Sequence, residues 1–198
     1  MRIGVLAIQG DVREHILHTE KAGAEALPVR MARDLDNTQG LIIPGGESTT
    51  IGMLMAEYGI IDAIKERAAD GRYPIYGTCA GMILLADKVV GLSPARLALM
   101  DMAVSRNAYG RQIASFEVNL SIDVLGAEPF PAVFIRAPKI VQWGSSITPL
   151  AWYEKELVMA ESGPYLISSF HPEMSPDVRI HQYFLEKVRQ AAALVDAS

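Results

Sequence analysis

Three short apolar runs, each breaking off in a glycine-bearing turn, restrict the folding of this chain more than any other feature. Ile3–Gln9 is a continuous apolar run ending at Gly10; Leu41–Ile43 stops at Pro44-Gly45-Gly46; Ile75–Thr78 runs into Cys79-Ala80-Gly81. Runs without a polar face suit strands buried on both sides of a parallel sheet. Longer segments with helical spacing separate them. Asp11 can cap a helix with Ile16, Leu17 and Ala22 on one side and Gly23 as its stop. Further helices fit Ile51–Tyr58, Ile60–Asp70 and Met82–Asp87, and another strand fits Ala26–Arg30. This βαβα rhythm predicts an α/β fold, doubly wound, with a mostly parallel sheet, helices on both faces and right-handed crossovers. Ligands of such sheets gather at the carboxyl ends of the strands. Gln9-Gly10, Pro44–Ser48 and Gly77–Gly81 all fall on that edge.

The second half reads differently. Ser115–Val124 alternates apolar and polar residues, as a half-exposed antiparallel strand should. Shorter strands fit Ala132–Arg136, Leu157–Ala160 and Tyr165–Ser169, and an amphipathic helix covers roughly Val178–Ala193. With 198 residues and no repeat or linker, the expectation is one domain over 1–198 carrying a small antiparallel elaboration.

Charge and cysteine usage narrow the setting. The net charge is −5 with no basic block, which disfavours nucleic acid or an anionic membrane as partner. One cysteine cannot make an intramolecular disulfide, so a reducing compartment is expected. The first apolar run is too short for a signal-peptide core, and no stretch approaches the roughly 18–20 apolar residues of a membrane span. The expected location is the cytoplasm.

The single cysteine sits in Gly77-Thr78-Cys79-Ala80-Gly81, a G-x-C-x-G sequence between a strand and a helix. This is the thiol form of a nucleophile elbow: small neighbours allow the tight turn that lifts the sulfur to a helix N-terminus, where the helix dipole favours negative charge. The plain alternative is a buried cysteine between glycines that serve close helix–strand packing. His171-Pro172-Glu173 follows a strand of its own. A thiol nucleophile needs a base, and the base needs an acceptor to fix its tautomer, which histidine and glutamate two residues apart supply. Pro44-Gly45-Gly46 ends a strand, and its amides could share an oxyanion with the amide of Ala80. A glycine turn with Ser48 or Thr49 as helix cap would read the same way. His15 and His18 lie three apart on one helix, and no further ligands complete a metal site there. They are read as an exposed helix face, and His181 as surface on the last helix. No phosphate-binding glycine motif follows a strand, so no nucleotide is indicated.

Together these segments resemble the class I (triad) glutamine amidotransferases. Gln9-Gly10 with Arg13-Glu14-His15, the Pro44–Thr50 loop, Gly77–Gly81, Arg106-Asn107 with Gly110-Arg111-Gln112, Ser115-Phe116-Glu117, Phe134–Pro138 and Ser169–Glu173 are similar to one branch, the glutaminase subunits of pyridoxal 5′-phosphate synthases. The matches run from residue 3 to about 175. Gln142–Leu157, with Trp143 and Trp152, and Met174 depart from the pattern. The resemblance implies a flavodoxin-like amidotransferase fold and a Cys79–His171–Glu173 triad without cofactor or metal. It implies glutamine contacts at Gly46, Glu47, Ser48, Arg106, Ile135 and Arg136, and an oxyanion hole at the backbone of Gly46 and Ala80. Gln9 and Gly10 would lie at a partner or activation contact. Paired arginines suit an α-carboxylate, and Glu47 an α-ammonium. L-glutamine is then the substrate, and a synthase subunit in a hetero-oligomer receives the ammonia. Such a glutaminase is expected to be nearly idle until its partner docks. A glutaminase subunit of another amidotransferase, a thiol peptidase-like enzyme and a non-catalytic binding module on the same fold are the competing readings; peptidase relatives usually place histidine beside the nucleophile, where Ala80 stands here.

Overall fold

Alternation of buried side chains along each short strand builds the first half of the molecule. The computed structural model describes residues 1–91, 94–106 and 115–196, with side chains through residue 194. Asn107, Gly110, Arg111 and Gln112 of the motif noted above lie outside the described residues. The chain opens with β1 (Arg2–Leu6), α1 (Val12–Lys21), β2 (Glu25–Val29), β3 (Gly40–Ile43), α2 (Ser48–Glu57), α3 (Ile60–Ala68), β4 (Ile75–Thr78) and α4 (Ala80–Leu85). It continues through β5 (Ala86–Val90), β6 (Met100–Ser105), β7 (Ser115–Leu120), β8 (Phe130–Ile135), β9 (Lys139–Trp143), β10 (Thr148–Tyr153), β11 (Glu156–Ser162) and β12 (Tyr165–Ser168) to α5 (Arg179–Asp196).

The main sheet has seven strands in the order β10-β11-β12-β4-β3-β1-β2. From β12 to β2 all neighbours are parallel, and β10 and β11 add an antiparallel edge. The winding reverses between β1 and β3, the point at which such sheets open a crevice. Leu41 and Ile43 enter one core with Ile51 and Met55 of α2 and Ile60 and Ile64 of α3. The intervening Ile42 points to the other core, with Tyr76, Leu166, Phe134 of β8, and Ile180 and Phe184 of α5. Each large apolar side chain removed from water contributes about 1.5–3 kcal/mol, so this alternation pins the register. Two smaller sheets complete the elaboration: β5-β6-β9, and the antiparallel pair β7-β8.

The sheet class follows the sequence expectation, with differences in detail. Gly23 ends α1 with φ +99, the left-handed position that suits glycine, but Leu17 is exposed while Ile16 and Ala22 pack inward. Leu17 lies about 100° from Ile16 and about 140° from Ala22 around the helix, on the side turned to water. β7 stops at Leu120, where a short helical turn over Asp123–Leu125 takes over. Strand Tyr165–Ser168 joins the parallel sheet beside β4 and is no part of the elaboration. β5, β6, β9 and β10 had no counterpart in the sequence reading. The histidine assignments fail: His15, His18 and His181 are all buried, because α1 and α5 turn them toward each other across the second core. Among the described residues no helix is long and apolar enough to cross a membrane.

Candidate active site

Four strand ends meet at one cleft of about 380 Å³. It is lined by Gln9 and Gly10 after β1, Gly46, Glu47 and Ser48 after β3, Cys79 and Ala80 after β4, and His171 after β12. Arg106, Ile135 and Arg136 line it from the elaboration. Every residue assigned to the triad, the glutamine contacts, the oxyanion hole and the partner contact is at this cleft except Glu173, which lies behind His171.

Cys79 occupies the residue just before α4 with φ 48 and ψ −99, a backbone conformation that side chains rarely adopt. The turn is held by its N–H donating to the carbonyl of Ser168 at 2.9 Å. It is possible because a Cβ on Gly81 would stand 2.1 Å from the carbonyl oxygen of Ile43, and one on Gly77 would stand 2.6 Å from Gly81. Strain of this kind persists where the surroundings enforce it. The Sγ lies 3.9 Å from the carbonyl oxygen of Ile135. Helix α4 leaves the N–H of Ala80 without an intrahelical acceptor, open to a ligand at the cleft.

His171 precedes a short helical turn over Pro172–Met174, which folds Glu173 back beneath the imidazole. Nδ1 is 2.7 Å from Glu173 Oε1 and 3.3 Å from Asp11 Oδ2. Burial alone would lower the pKa of His171, but Asp11, the Cys79 thiol and Glu173 outweigh it and raise it to about 12. Glu173 is pushed up by burial, yet His15 and His171 against its two oxygens hold it well below the usual carboxylate range. Asp11, His171 and Glu173 bring three metal-ligand atoms within 4.8 Å of one another. The 2.7 Å separation identifies the inner pair as a hydrogen bond.

Asp11 was expected as a helix cap. It holds that position but makes no side-chain cap bond; its carboxylate turns to His171 instead. The cap of α2 is Glu47, not Ser48 or Thr49: its carboxylate accepts from the N–H groups of Thr49 and Thr50. Arg106 donates to Glu47 Oε1 at 3.0 Å and to Thr49 Oγ1 at 3.1 Å. Burial would raise Glu47, and the Thr49 and Thr50 bonds override this, lowering it to about 2. Arg136 follows β8 with φ 43 and is exposed at the cleft. Gln9 Oε1 accepts the N–H of Glu47 at 2.8 Å, and Gly10, at φ +104, leaves room that a Cβ would take from the Gly45 carbonyl, 1.8 Å away. The end of β1 thereby clamps the glycine loop. The sequence reading missed the Asp11 contact and the burial of His15; the cue was present in Asp11 and His15 sharing one helical face.

The chain has close relatives among known proteins. The profile of the SNO glutamine amidotransferase family matches residues 5–190. The chain is 50% identical over 191 residues to a protein of Pelotomaculum thermopropionicum named pyridoxal 5′-phosphate synthase subunit PdxT, covering 96% of this chain and 97% of that one. A protein of the same name from Pseudothermotoga lettingae is 54% identical over 187 residues, covering 94% and 95%. A crystal structure described as a glutamine amidotransferase superposes with a TM-score of 0.90 at 45% identity, covering 94% of this chain and 98% of that one. A thiol on a strained elbow and a histidine backed by carboxylates thus occur in a sequence shared along nearly its whole length with these relatives, and the chain belongs to the SNO glutamine amidotransferase family.

Proposed function

We propose that this chain hydrolyses L-glutamine to L-glutamate and ammonia, and delivers the ammonia to the synthase subunit of a pyridoxal 5′-phosphate synthase. The observation that carries the chemistry is the strained Cys79 facing His171, whose far nitrogen is 2.7 Å from Glu173. Cys79 sulfur attacks the side-chain carboxamide carbon, and the carbonyl electrons move to an oxyanion met by the amides of Gly46 and Ala80. His171 has taken the thiol proton; it hands it to the departing nitrogen, the C–N bond breaks, and ammonia leaves a γ-glutamyl thioester. Water then adds to the thioester with His171 accepting its proton. Glutamate departs and the thiol is restored. Glu173 keeps the imidazole oriented and offsets its charge. The balance closes with water alone, so this step requires neither cofactor nor metal.

Arg106 and Arg136 suit the α-carboxylate of glutamine, and Glu47 its α-ammonium, with Gly46, Ser48 and Ile135 shaping the pocket. The relatives named PdxT support the synthase as partner. Free ammonia would protonate at neutral pH and lose its nucleophilicity, which makes direct transfer useful. Gln9 and Gly10, clamped on the glycine loop, are the place where a docked partner would reach the oxyanion hole. We read residues 1–198 as one glutaminase domain working in the cytoplasm.

The test is incubation with a glutamine-analogue alkylator, with and without the synthase, followed by mass spectrometry and glutamate measurement. The expected result is an adduct on Cys79 that is lost in His171→Ala, with glutamate release much faster when the synthase is present. An adduct absent from Cys79, or equally strong in His171→Ala, overturns the mechanism. Strong activity unchanged by the synthase overturns the gating.

A further inference from the structure

Behind the triad, the outer oxygen of Glu173 opens onto a row of buried histidines, none of which lines the cleft. Glu173 Oε2 is 3.2 Å from His15 Nε2, yet among the described residues it receives no aligned hydrogen bond. The same nitrogen of His15 is 3.1 Å from Thr78 Oγ1. His15 Nδ1 is 3.0 Å from His181 Nε2, and His181 Nδ1 has no hydrogen-bond partner among the described residues. His18 stands beside His181 with ring centroids 5.1 Å apart, anchored by Nε2 at 2.7 Å from the Ser175 carbonyl.

These contacts determine where the protons sit. Burial holds the pKa of His181 well below that of an ordinary histidine, so it is neutral with one N–H. A buried N–H without an acceptor is rarer and costlier than a bare lone pair, so the unpartnered Nδ1 is the bare one. The proton is then on Nε2 of His181 and is donated to Nδ1 of His15. With Nδ1 accepting, His15 carries its own proton on Nε2, between Thr78 and Glu173. Oε1 of Glu173 is thereby left to receive the Nδ1 proton of His171, whose Nε2 is free for the thiol.

We propose that His15 is a positioning residue for the triad: its tautomer fixed by His181, it holds an Nε2 proton between Thr78 Oγ1 and the outer oxygen of Glu173, and the attraction of that proton for the carboxylate steadies the group that steers His171. The inference rests on the glutaminase reading above.

Two amide substitutions separate reach from packing. In His15→Gln the side-chain N–H falls near the place of Nε2; in His15→Asn it falls near that of Nδ1, short of Glu173. With glutamine as substrate and the synthase present, kcat is expected to stay within about threefold of wild type for His15→Gln. It should fall at least about tenfold for His15→Asn, with KM changed less than about threefold in both. Equal kcat for the two folded variants, or a loss confined to KM, overturns the proposal. A wild-type protein that makes no glutamate overturns the glutaminase reading as well, which distinguishes the two failures. Should either variant not fold, 15N spectra of the four histidines in the wild-type protein decide. A proton on His15 Nε2 supports the proposal and a bare Nε2 overturns it.

Discussion

Glu47 and Arg106 are locked together before any substrate arrives, carboxylate to guanidinium at 3.0 Å, while the same carboxylate caps α2. The pair is half open to water and worth little to stability as an ion pair. Its value lies in fixing two charged groups at the rim of the cleft. Arg106→Ala is expected to raise KM for glutamine about tenfold or more with a smaller effect on kcat, as measured by steady-state glutamate release. Glu47→Ala removes a helix cap as well, and should lower stability by about 1 kcal/mol in a denaturant titration.

Gly81→Ala tests the elbow. The added carbon would stand 2.1 Å from the Ile43 carbonyl, where backbone on both sides leaves no flexible group to yield. A loss of about 1–3 kcal/mol or more is expected from overpacking. Because the displacement acts on the turn that carries Cys79, alkylation of the thiol by the glutamine analogue should drop along with the thermal midpoint. A variant that is destabilised yet labelled at the wild-type rate would mean the elbow tolerates a looser turn.

The pH dependence of stability follows from the two ends of the triad. Glu173 ionises below its usual range, so its contribution is complete above about pH 4.3 and drains away as pH falls through its depressed value. His171 is raised to about 12, so its contribution is complete below about pH 6.5 and is lost as pH rises through about 12. Both are intact between about pH 4.3 and 6.5. Breaking a buried pair costs about 3–5 kcal/mol, which for a chain of this size is on the order of 10 °C. Glu173→Gln should therefore melt lower than wild type by about that much near pH 6, with the gap closing as pH drops below 4. Calorimetry across that range checks the sign.

Asp11→Asn probes the second carboxylate at His171. Removing it takes away the largest of the influences that raise the imidazole, so the stabilisation that persists toward high pH should fade earlier in the variant. Thermal midpoints between pH 7 and 10 report this directly; identical curves would show that the histidine is held without Asp11.

The sequence exposed the parallel half of the fold because β1, β3 and β4 are apolar on both faces and end at glycines. It hid β5 and β9, where residues such as Asp87, Lys88 and Gln142 face water and blur the apolar signal. Cys79, His171 and the glycine loop could be read because their chemistry demands particular residue types at strand ends. The roles of Asp11, His15 and His181 could not. Spacing on a helix shows which residues share a face, but not whether another helix will bury that face, and α5 is what closes over α1. The positive φ of Arg136 was equally invisible, being imposed by the turn out of β8.

The parallel pairing of β12 with β4 has a consequence for how this molecule comes into being. The nucleophile is synthesised with the first half of the chain, whereas its base follows β12, the last strand in chain order. Until that distant segment docks, Cys79 is a thiol without a proton acceptor, and a nascent or half-refolded chain has no working catalytic centre. Pairings between distant segments form slowly relative to local helices. On refolding, helical signal should return before turnover does, so that activity reports completion of the native topology and a partially folded chain consumes no substrate.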